Sequence, residues 1–444
     1  MLSYPVRIAL IAALGGFLFG FETVVISGAE KTLEGLWHLD SFWHGFTVSS
    51  SLLGTIAGAM LASIPAKKYG RKKVLQTIAV MFIVAAIGCA SVSAWGLFIF
   101  FRIIGGLAVG TSSVVAPMYI SEIAPAKLRG RLAGSFQVNI VAGIVIAFMT
   151  NYLLKDLGDN AWRWMFGVML VPAVIFWILL RAIPESPRWL IINDRADQAI
   201  PVMQKIGEAD VQGAIATIRK SLHEKKGAPG EHREPLFQKR YLKPIVYAML
   251  LAMFNQLSGI NAILYYAPRI FEMAGFDKND SFRQSVYVGA ANLFFTLLAM
   301  TVIDKFGRKK LLIIGSVGMT VFLGLTAYVF KQGAGGSNVL YYLIGFIAFF
   351  AFSQGAVIWV FISEIFPNSV RSQGGSLGGS THWVMAAIIS WTFPIIVEGS
   401  KHGGYYSFVF YSVMMLVQLI FVWRALPETK GRTLEDIQKE LGIN

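Results

Sequence analysis

The chain has 444 residues, of which 55% are hydrophobic and only 14% are charged, and its formal net charge is +14. Soluble domains carry about 25% charged residues, so this composition excludes an ordinary water-soluble protein and predicts a chain surrounded by lipid. The positive charge on its own would also fit nucleic-acid binding.

Twelve hydrophobic stretches follow one another along the chain, each long enough to cross a hydrocarbon layer of about 30 Å as a helix. They lie at residues 6–28, 45–65, 74–93, 96–119, 132–154, 162–183, 244–271, 283–303, 311–330, 339–361, 375–397 and 405–425. The first stretch is longer than the core of a secretory signal, so we predict that it is retained as a span. These stretches predict an all-α membrane protein with twelve transmembrane helices, here called spans 1 to 12.

Lysine and arginine are concentrated in alternate loops. The basic residues are Lys67, Lys68, Arg71, Lys72 and Lys73 after span 2, Lys127, Arg129 and Arg131 after span 4, and Lys305, Arg308, Lys309 and Lys310 after span 8. Loops with this excess lie in the cytoplasm, so both termini are predicted to be cytoplasmic. The same placement argues against a nucleic-acid surface. Since no targeting segment is visible, we expect the plasma (inner) membrane.

Three motifs occur twice, once in each half of the chain. The pairs are Tyr69-Gly70-Arg71-Lys72-Lys73 with Phe306-Gly307-Arg308-Lys309-Lys310, Ile120-Ser121-Glu122-Ile123 with Ile362-Ser363-Glu364-Ile365, and Pro184-Glu185-Ser186 with Pro427-Glu428-Thr429. They follow spans 2 and 8, 4 and 10, and 6 and 12, which indicates a repeat of six spans. The predicted domains are an N-terminal half (1–184), a cytoplasmic helical linker (185–243), a C-terminal half (244–426) and a cytoplasmic tail (427–444).

Two parallel six-helix halves are typical of transporters that rock one half against the other. Acids and bases at the cytoplasmic ends could then form contacts that break and re-form as a gate. The candidates are Glu122, Arg129, Glu185, Arg188, Asp304, Arg308, Glu364, Arg371 and Glu428. The alternative is that these residues only orient the chain. Repetition of the carboxylates, which orientation does not require, favours the gate.

Five motifs in order resemble the sugar porters of the major facilitator superfamily over nearly the whole chain. They are Arg102-Ile103-Ile104-Gly105-Gly106, Pro184-Glu185-Ser186-Pro187-Arg188-Trp189-Leu190, Gln256-Leu257-Ser258-Gly259-Ile260-Asn261 with Tyr265-Tyr266, Asp304-Lys305-Phe306-Gly307-Arg308-Lys309, and Pro427-Glu428-Thr429-Lys430-Gly431-Arg432. The resemblance implies two pseudo-symmetric six-helix halves and sugar transport by alternating access. Lys67 departs from it, because the family has an aspartate there.

Amide side chains inside the spans suit a sugar, because they both donate and accept hydrogen bonds. By the resemblance, four amides match positions that bind the sugar, and Trp359 matches the aromatic residue that packs on the sugar ring. The four amides are Gln137, Gln256, Asn261 and Asn292. The substrate-binding candidates are Gln137, Asn255, Gln256, Asn261, Tyr265, Asn292, Trp359, His382 and Trp383. The alternatives are amides that tie helices together and a tryptophan that only packs. Asn255 stands where the family has the first of two consecutive glutamines, and His382 stands where relatives have glutamine or asparagine. Both changes alter the reach and the number of hydrogen-bond donors, so the sugar cannot be inferred from that of a relative.

Three ionisable residues lie well inside the spans: Glu22, Arg102 and His382. Glu22 and Arg102 fall at similar depths, so they could pair. Proton-coupled sugar porters carry an acid and an arginine at these positions, and the resemblance therefore implies that this pair couples transport to protons. The alternative is a static salt bridge that orients two helices. His382 could titrate or could stand in as a neutral hydrogen-bonding group.

We predict a proton-coupled symporter of a monosaccharide, a hexose or a pentose. The alternatives are a facilitative sugar uniporter and a sugar sensor that does not transport. No nucleophile–base constellation or metal-ligand cluster is visible, so we expect no enzyme activity, no metal and no cofactor. The expected partners are a sugar, a proton and the lipid bilayer, and we expect a monomer that binds no nucleic acid.

Overall fold

The computed structural model describes residues 3–125, 128–227, 235–333 and 338–443. Over these residues the chain forms helices and no strand. A helix satisfies its backbone hydrogen bonds within its own segment, which hydrocarbon surroundings require. Eleven helical stretches of the described chain are long and apolar enough to cross a membrane, and one bent pair of helices supplies a twelfth. The predicted all-α membrane fold is therefore confirmed.

The first six spans lie close to their predicted positions. Their helices are α1 (Tyr4–Val25), the short α2 (Glu30–Leu36), α3 (Ser41–Leu61), α4 (Ser63–Tyr69), α5 (Arg71–Ser91), α6 (Trp95–Ile123), α7 (Arg129–Leu154), α8 (Ala161–Gly167) and α9 (Leu170–Ala182). Span 2 consists of α3 and α4, which bend by 50° where they meet. Span 6 consists of α8 and α9.

Three short helices follow span 6, in the polar segment predicted as a linker. They are α10 (Pro187–Ile192), α11 (Ala196–Ile206) and α12 (Val211–Gly227). The Ser186 hydroxyl accepts a hydrogen bond from the Trp189 N–H at 3.2 Å, and Pro187 provides a first helical residue that needs no partner for an N–H. The buried apolar side chains of α10, α11 and α12 form a small core of Trp189, Leu190, Ile191, Ala199, Met203 and Ile215.

The remaining helices form spans 7 to 12 and the tail. They are α13 (Leu242–Leu257), α14 (Ile260–Tyr265), α15 (Ala267–Met273), α16 (Lys278–Phe306), α17 (Arg308–Gln332), α18 (Asn338–Phe352), α19 (Gln354–Glu364), α20 (Arg371–Glu398), α21 (Gly403–Ala425) and α22 (Leu434–Leu441). Span 7 consists of α13 and α14, and span 10 of α18 and α19. α22 begins with a capping box formed by Thr433 and Asp436.

Gly259 is responsible for the break in span 7. Its φ of +82° lies in the left-handed region, and a Cβ there would come within 2.4 Å of the Tyr411 ring. Glycine alone satisfies both conditions at low energy. The break leaves Gln256 at the end of α13 and Asn261 at the start of α14, so the two predicted sugar-binding amides flank a helix interruption.

The chain divides into two compact units. The first consists of Met1–Glu22, Gly54–Gly143 and Phe166–Glu234, and the second consists of Thr23–Leu53, Ile144–Met165 and Pro235–Asn444. The second unit therefore includes segments of spans 1, 2, 5 and 6 in addition to spans 7 to 12. The division into halves by sequence repeat stays a prediction.

Candidate functional site

Five predicted substrate-binding residues of the second unit form one contiguous group, here called the amide–aromatic cluster (Asn255, Gln256, Trp359, His382 and Trp383). The Gln256 Nε2 lies 3.3 Å from Nε2 and 3.4 Å from Nδ1 of the His382 ring. That ring is 4.9 Å from the Trp359 ring at 57° and 4.9 Å from the Trp383 ring at 90°. The cluster combines polar groups with flat apolar faces, which is the chemistry that a sugar ring and its hydroxyls require.

Burial separates Trp359 from the rest of this cluster. Its side chain is 42% exposed, whereas Gln256 is 1% and His382 is 9% exposed. Trp359 is therefore the accessible aromatic side chain of the cluster, beside polar groups that are buried.

The other predicted substrate-binding residues lie on further helices. Asn261 and Tyr265 lie on α14, half-buried and buried respectively. Asn292 is buried on α16, where its Oδ1 accepts a hydrogen bond from the Thr296 hydroxyl at 3.5 Å. Gln137 is half-buried on α7 and belongs to the first unit.

The structure brings Glu22 and Arg102 together inside the first unit. The Arg102 Nη1 donates to the Glu22 Oε1 at 2.5 Å and to the Glu22 backbone oxygen at 3.3 Å. Both side chains are at most 1% exposed. A Cβ at Gly105 would lie 2.7 Å from the Glu22 carboxylate, so the glycine makes room for the acid. A buried carboxylate held by one guanidinium depends on that partner for its charged state.

The repeated motifs of the first unit form the first motif-end network (Arg71, Glu122 and Glu185). Arg71 binds Glu122 through two hydrogen bonds, Nε to Oε2 at 2.9 Å and Nη2 to Oε1 at 2.8 Å. The Glu185 carboxylate accepts the backbone N–H groups of Arg71 at 2.9 Å and Lys72 at 3.1 Å, at the start of α5. Burial raises the pKa of Glu185 above its ordinary value, although these backbone donors oppose the shift.

The second unit repeats this arrangement in the second motif-end network (Arg308, Glu364 and Glu428). The Arg308 Nη2 donates to the Glu364 Oε1 at 3.0 Å, and the backbone N–H groups of Arg308 and Lys309 donate to Glu428 at 2.9 and 3.2 Å. The Thr429 hydroxyl donates to the second oxygen of Glu364 at 2.5 Å. In both networks a carboxylate binds the N-terminus of the helix that follows the motif.

Other predicted gate residues have different surroundings. Arg129 and Arg188 are exposed, and the half-buried Arg371 donates through Nε to the Phe366 carbonyl at 3.4 Å. The side chain of Asp304 lies outside the described residues. Arg71 is not among the predicted gate residues, although its correspondence with Arg308 in the repeat is a sequence signal that identifies it.

A further group of charged residues in the second unit, here called the Arg269 cluster, was not predicted (Glu30, Glu34, His44, Arg269 and Glu398). The Arg269 Nη1 donates to Glu34 at 3.0 Å and to Glu30 at 3.2 Å, and its Nη2 donates to Glu398 at 2.5 Å. The His44 Nε2 lies 2.7 Å from Glu30 Oε2. Burial alone would lower the pKa of Arg269, but the attraction of the three carboxylates raises it above its ordinary value.

Glu30, Glu34 and His44 place three potential metal-ligating atoms within 4.8 Å of one another. The Arg269 Nη1 lies 3.0 to 3.3 Å from an atom of each of these three residues. Since the guanidinium already occupies the space between them, the geometry fits an ion-pair network better than a metal site.

Comparison with known proteins identifies the family. Residues 8–441 match the family model described as "Sugar (and other) transporter". The chain is 35% identical to the D-xylose-proton symporter of Escherichia coli, covering 98% of this chain and 95% of that protein, and 35% identical to the arabinose-proton symporter of Bacillus subtilis, covering 99% and 95%. Its fold matches the inward-open structure of the xylose transporter XylE from E. coli with a TM-score of 0.87 and 34% identity, covering 98% of this chain and all of that one. The chain belongs to the sugar porter family of the major facilitator superfamily.

Proposed function

We propose that this protein is a proton-coupled symporter that carries a monosaccharide, a pentose or a hexose, across the plasma (inner) membrane by alternating access. The observation that carries the coupling is the Glu22–Arg102 contact, which buries a carboxylate with a single compensating cation. Two relatives that are named proton symporters, one for D-xylose and one for arabinose, support this reading. The positive-inside pattern supports cytoplasmic termini.

The amide–aromatic cluster is proposed as part of the sugar site. Gln256 and His382 offer hydrogen bonds, and Trp359 offers an accessible ring face for the apolar side of the sugar. Asn261, at the start of α14, would contribute a further amide beside the break in span 7. Gln137, Tyr265, Asn292 and Trp383 stay predictions as sugar contacts.

Glu22 is proposed as the proton-binding group. While Arg102 donates to it, the carboxylate is charged and compensated. When alternating access moves Arg102 away, the carboxylate would be an uncompensated charge in a low-dielectric interior, which favours uptake of a proton. Protonation would in turn weaken the attraction to Arg102, so the proton and the conformation are linked.

The cytoplasmic gate also stays a proposal. Each motif-end network contains its own charge-compensated contacts within one unit, so these networks organise the ends of the spans from which a gate would be built. Lys67 adds a positive charge in the first unit where the family has an aspartate.

Uptake of radiolabelled monosaccharides into proteoliposomes tests the proposal. Wild type should accumulate at least one pentose or hexose above equilibrium when an inward proton gradient is imposed. Glu22→Gln should lose accumulation but keep exchange of labelled for unlabelled sugar, because exchange needs no net proton movement. Asp156→Asn, an exposed carboxylate paired with Lys155, is the matched control and should accumulate like wild type.

The two competing functions give different results in the same assay. A uniporter would equilibrate sugar at the same rate with and without the gradient, and the Glu22–Arg102 pair would then be structural. A sensor would bind sugar without any uptake or exchange.

A further inference from the structure

Four buried amides of the second unit form a continuous row, here called the amide row (Gln418, Gln354, Asn255 and Gln256). They lie on α21, α19 and α13, and none is more than 3% exposed. Gln354 and Gln418 were not among the predicted substrate-binding residues. Such polar groups inside apolar spans are costly unless they form hydrogen bonds, so their partners define what they do.

The hydrogen bonds of this row all run in one direction. The Gln256 Nε2 donates to the Asn255 Oδ1 at 2.9 Å. The Asn255 Nδ2 donates to the backbone oxygen of Gln354 at 3.3 Å and to its Oε1 at 3.4 Å. The Gln354 Nε2 donates to the Gln418 Oε1 at 2.6 Å. The NH₂ groups of Gln256, Asn255 and Gln354 each point toward the oxygen of the next amide, so each of these three amides is oriented by its acceptor. The row ends at the Gln418 Nε2, which is buried and has no hydrogen-bond partner among the described residues.

At the end of the row that lies in the proposed sugar site, the free group is a hydrogen-bond acceptor, the Gln256 Oε1. The Gln256 Oε1 is buried and has no hydrogen-bond partner among the described residues, while the Nε2 of the same side chain lies beside His382. A buried amide oxygen without a partner has lost its hydrogen bonds to water without a replacement, which is unfavourable. A sugar hydroxyl that donates to this oxygen would remove that cost.

We propose that Gln354 and Gln418 are positioning residues for sugar recognition. Through Asn255 they hold the Gln256 amide in the orientation that presents its oxygen, and not its NH₂ group, to a donating hydroxyl of the sugar. This inference rests on the proposed sugar site in the amide–aromatic cluster. It predicts that the site discriminates against a sugar analogue that lacks that hydroxyl, and that this discrimination depends on a residue on α21 that need not touch the sugar.

The test is the affinity of purified full-length protein for the transported monosaccharide and each of its monodeoxy analogues, measured by calorimetry. One analogue should bind wild type markedly more weakly than the parent sugar. Gln418→Leu removes the acceptor at the far end of the row at similar volume. It should weaken binding of the parent sugar about 3- to 10-fold and binding of that analogue less than about 2-fold, so that discrimination shrinks.

Two further variants distinguish loss of amide positioning from a general loss of structure as the cause of the Gln418→Leu effect. Gln418→Glu keeps a carbonyl-type acceptor for the Gln354 NH₂ group and should restore discrimination to within about 2-fold of wild type. Asn151→Leu removes a buried amide of the same unit that bonds the Val25 carbonyl at 3.1 Å, away from the row, and should leave discrimination unchanged.

Each contrary result identifies which proposal fails. If Gln418→Leu weakens the parent sugar and all analogues equally, or Gln418→Glu behaves like Gln418→Leu, the positioning role is wrong while the sugar site stands. If wild type binds sugars but Gln418→Leu and Gln354→Met discriminate as wild type does, the inference is likewise wrong. If wild type binds no monosaccharide, the proposed function fails and the inference fails with it.

Discussion

The Arg269 cluster and the two motif-end networks bury acidic and basic side chains in different proportions. In each motif-end network one arginine meets two carboxylates, and one of these is also held by backbone N–H groups at a helix N-terminus. In the Arg269 cluster one guanidinium forms ion pairs with Glu30, Glu34 and Glu398, and ring nitrogens of His44 lie 2.7 to 3.9 Å from the same three carboxylates.

The two kinds of region differ in the groups that compensate the negative charge of the carboxylates. Backbone donors at α5 and α17 remain in place whatever happens to an arginine side chain, so the motif-end networks have a second source of stabilisation. In the described part of the chain, the three carboxylates of the Arg269 cluster accept hydrogen bonds from the Arg269 side chain and not from backbone N–H groups at a helix N-terminus. The Arg269 cluster should therefore be the more sensitive of the two regions to loss of one residue.

Arg269→Gln is expected to have the largest effect. It removes the cation shared by three carboxylates, and breaking a buried pair in this way costs about 3 to 5 kcal/mol in the free energy of unfolding. Thermal unfolding in detergent should show a clear decrease in Tm. Adding Glu34→Gln to this variant should recover part of the loss, because one of the repelling charges is removed.

Arg283→Gln is the matched control for this measurement, because Arg283 forms an exposed pair with Asp280. It should leave Tm nearly unchanged. Equal Tm values for Arg269→Gln and Arg283→Gln would show that the Arg269 cluster is not the sensitive region.

A smaller effect is expected at the motif ends, and it should be unequal between the two networks. Arg71 forms two hydrogen bonds with Glu122, and both side chains are nearly buried, whereas Arg308 forms one with a Glu364 side chain that is 29% exposed. Arg71→Gln should cost about 2 kcal/mol and Arg308→Gln about 1 kcal/mol, measured by the same unfolding assay. A larger loss for Arg308→Gln would contradict this ranking.

The smallest effect is expected for Glu185→Gln, and it should depend on pH. Because the folded-state pKa of Glu185 is raised, the folded protein binds this proton more tightly than the unfolded chain does. The contribution of this group is complete below its unfolded pKa and is lost as pH rises through its folded pKa. Between pH 4 and pH 8, the Tm difference should therefore shift in favour of Glu185→Gln, and a shift toward wild type would refute the stated direction.

Several residues of the candidate sites could be selected from sequence because a pattern marked them. Glu22 and Arg102 are charged residues within long apolar stretches, and their depths indicated the contact that the structure contains. Glu122, Glu364, Glu185 and Glu428 occur in a repeat. His44 and Arg269 had no comparable mark, because each lies near the end of an apolar stretch, where a charged residue is common.

The sequence by itself determined the class of protein, the approximate positions of twelve spans, the twofold repeat of six spans and the family, because hydrophobic length and repeated motifs are local properties of the chain. Only the tertiary structure decided which side chains share a site. The Arg269 cluster joins residues of α2, α3, α15 and α20, and the amide row joins α13, α19 and α21. Contacts between helices so distant along the chain depend on packing and helix rotation, which neither composition nor periodicity specifies.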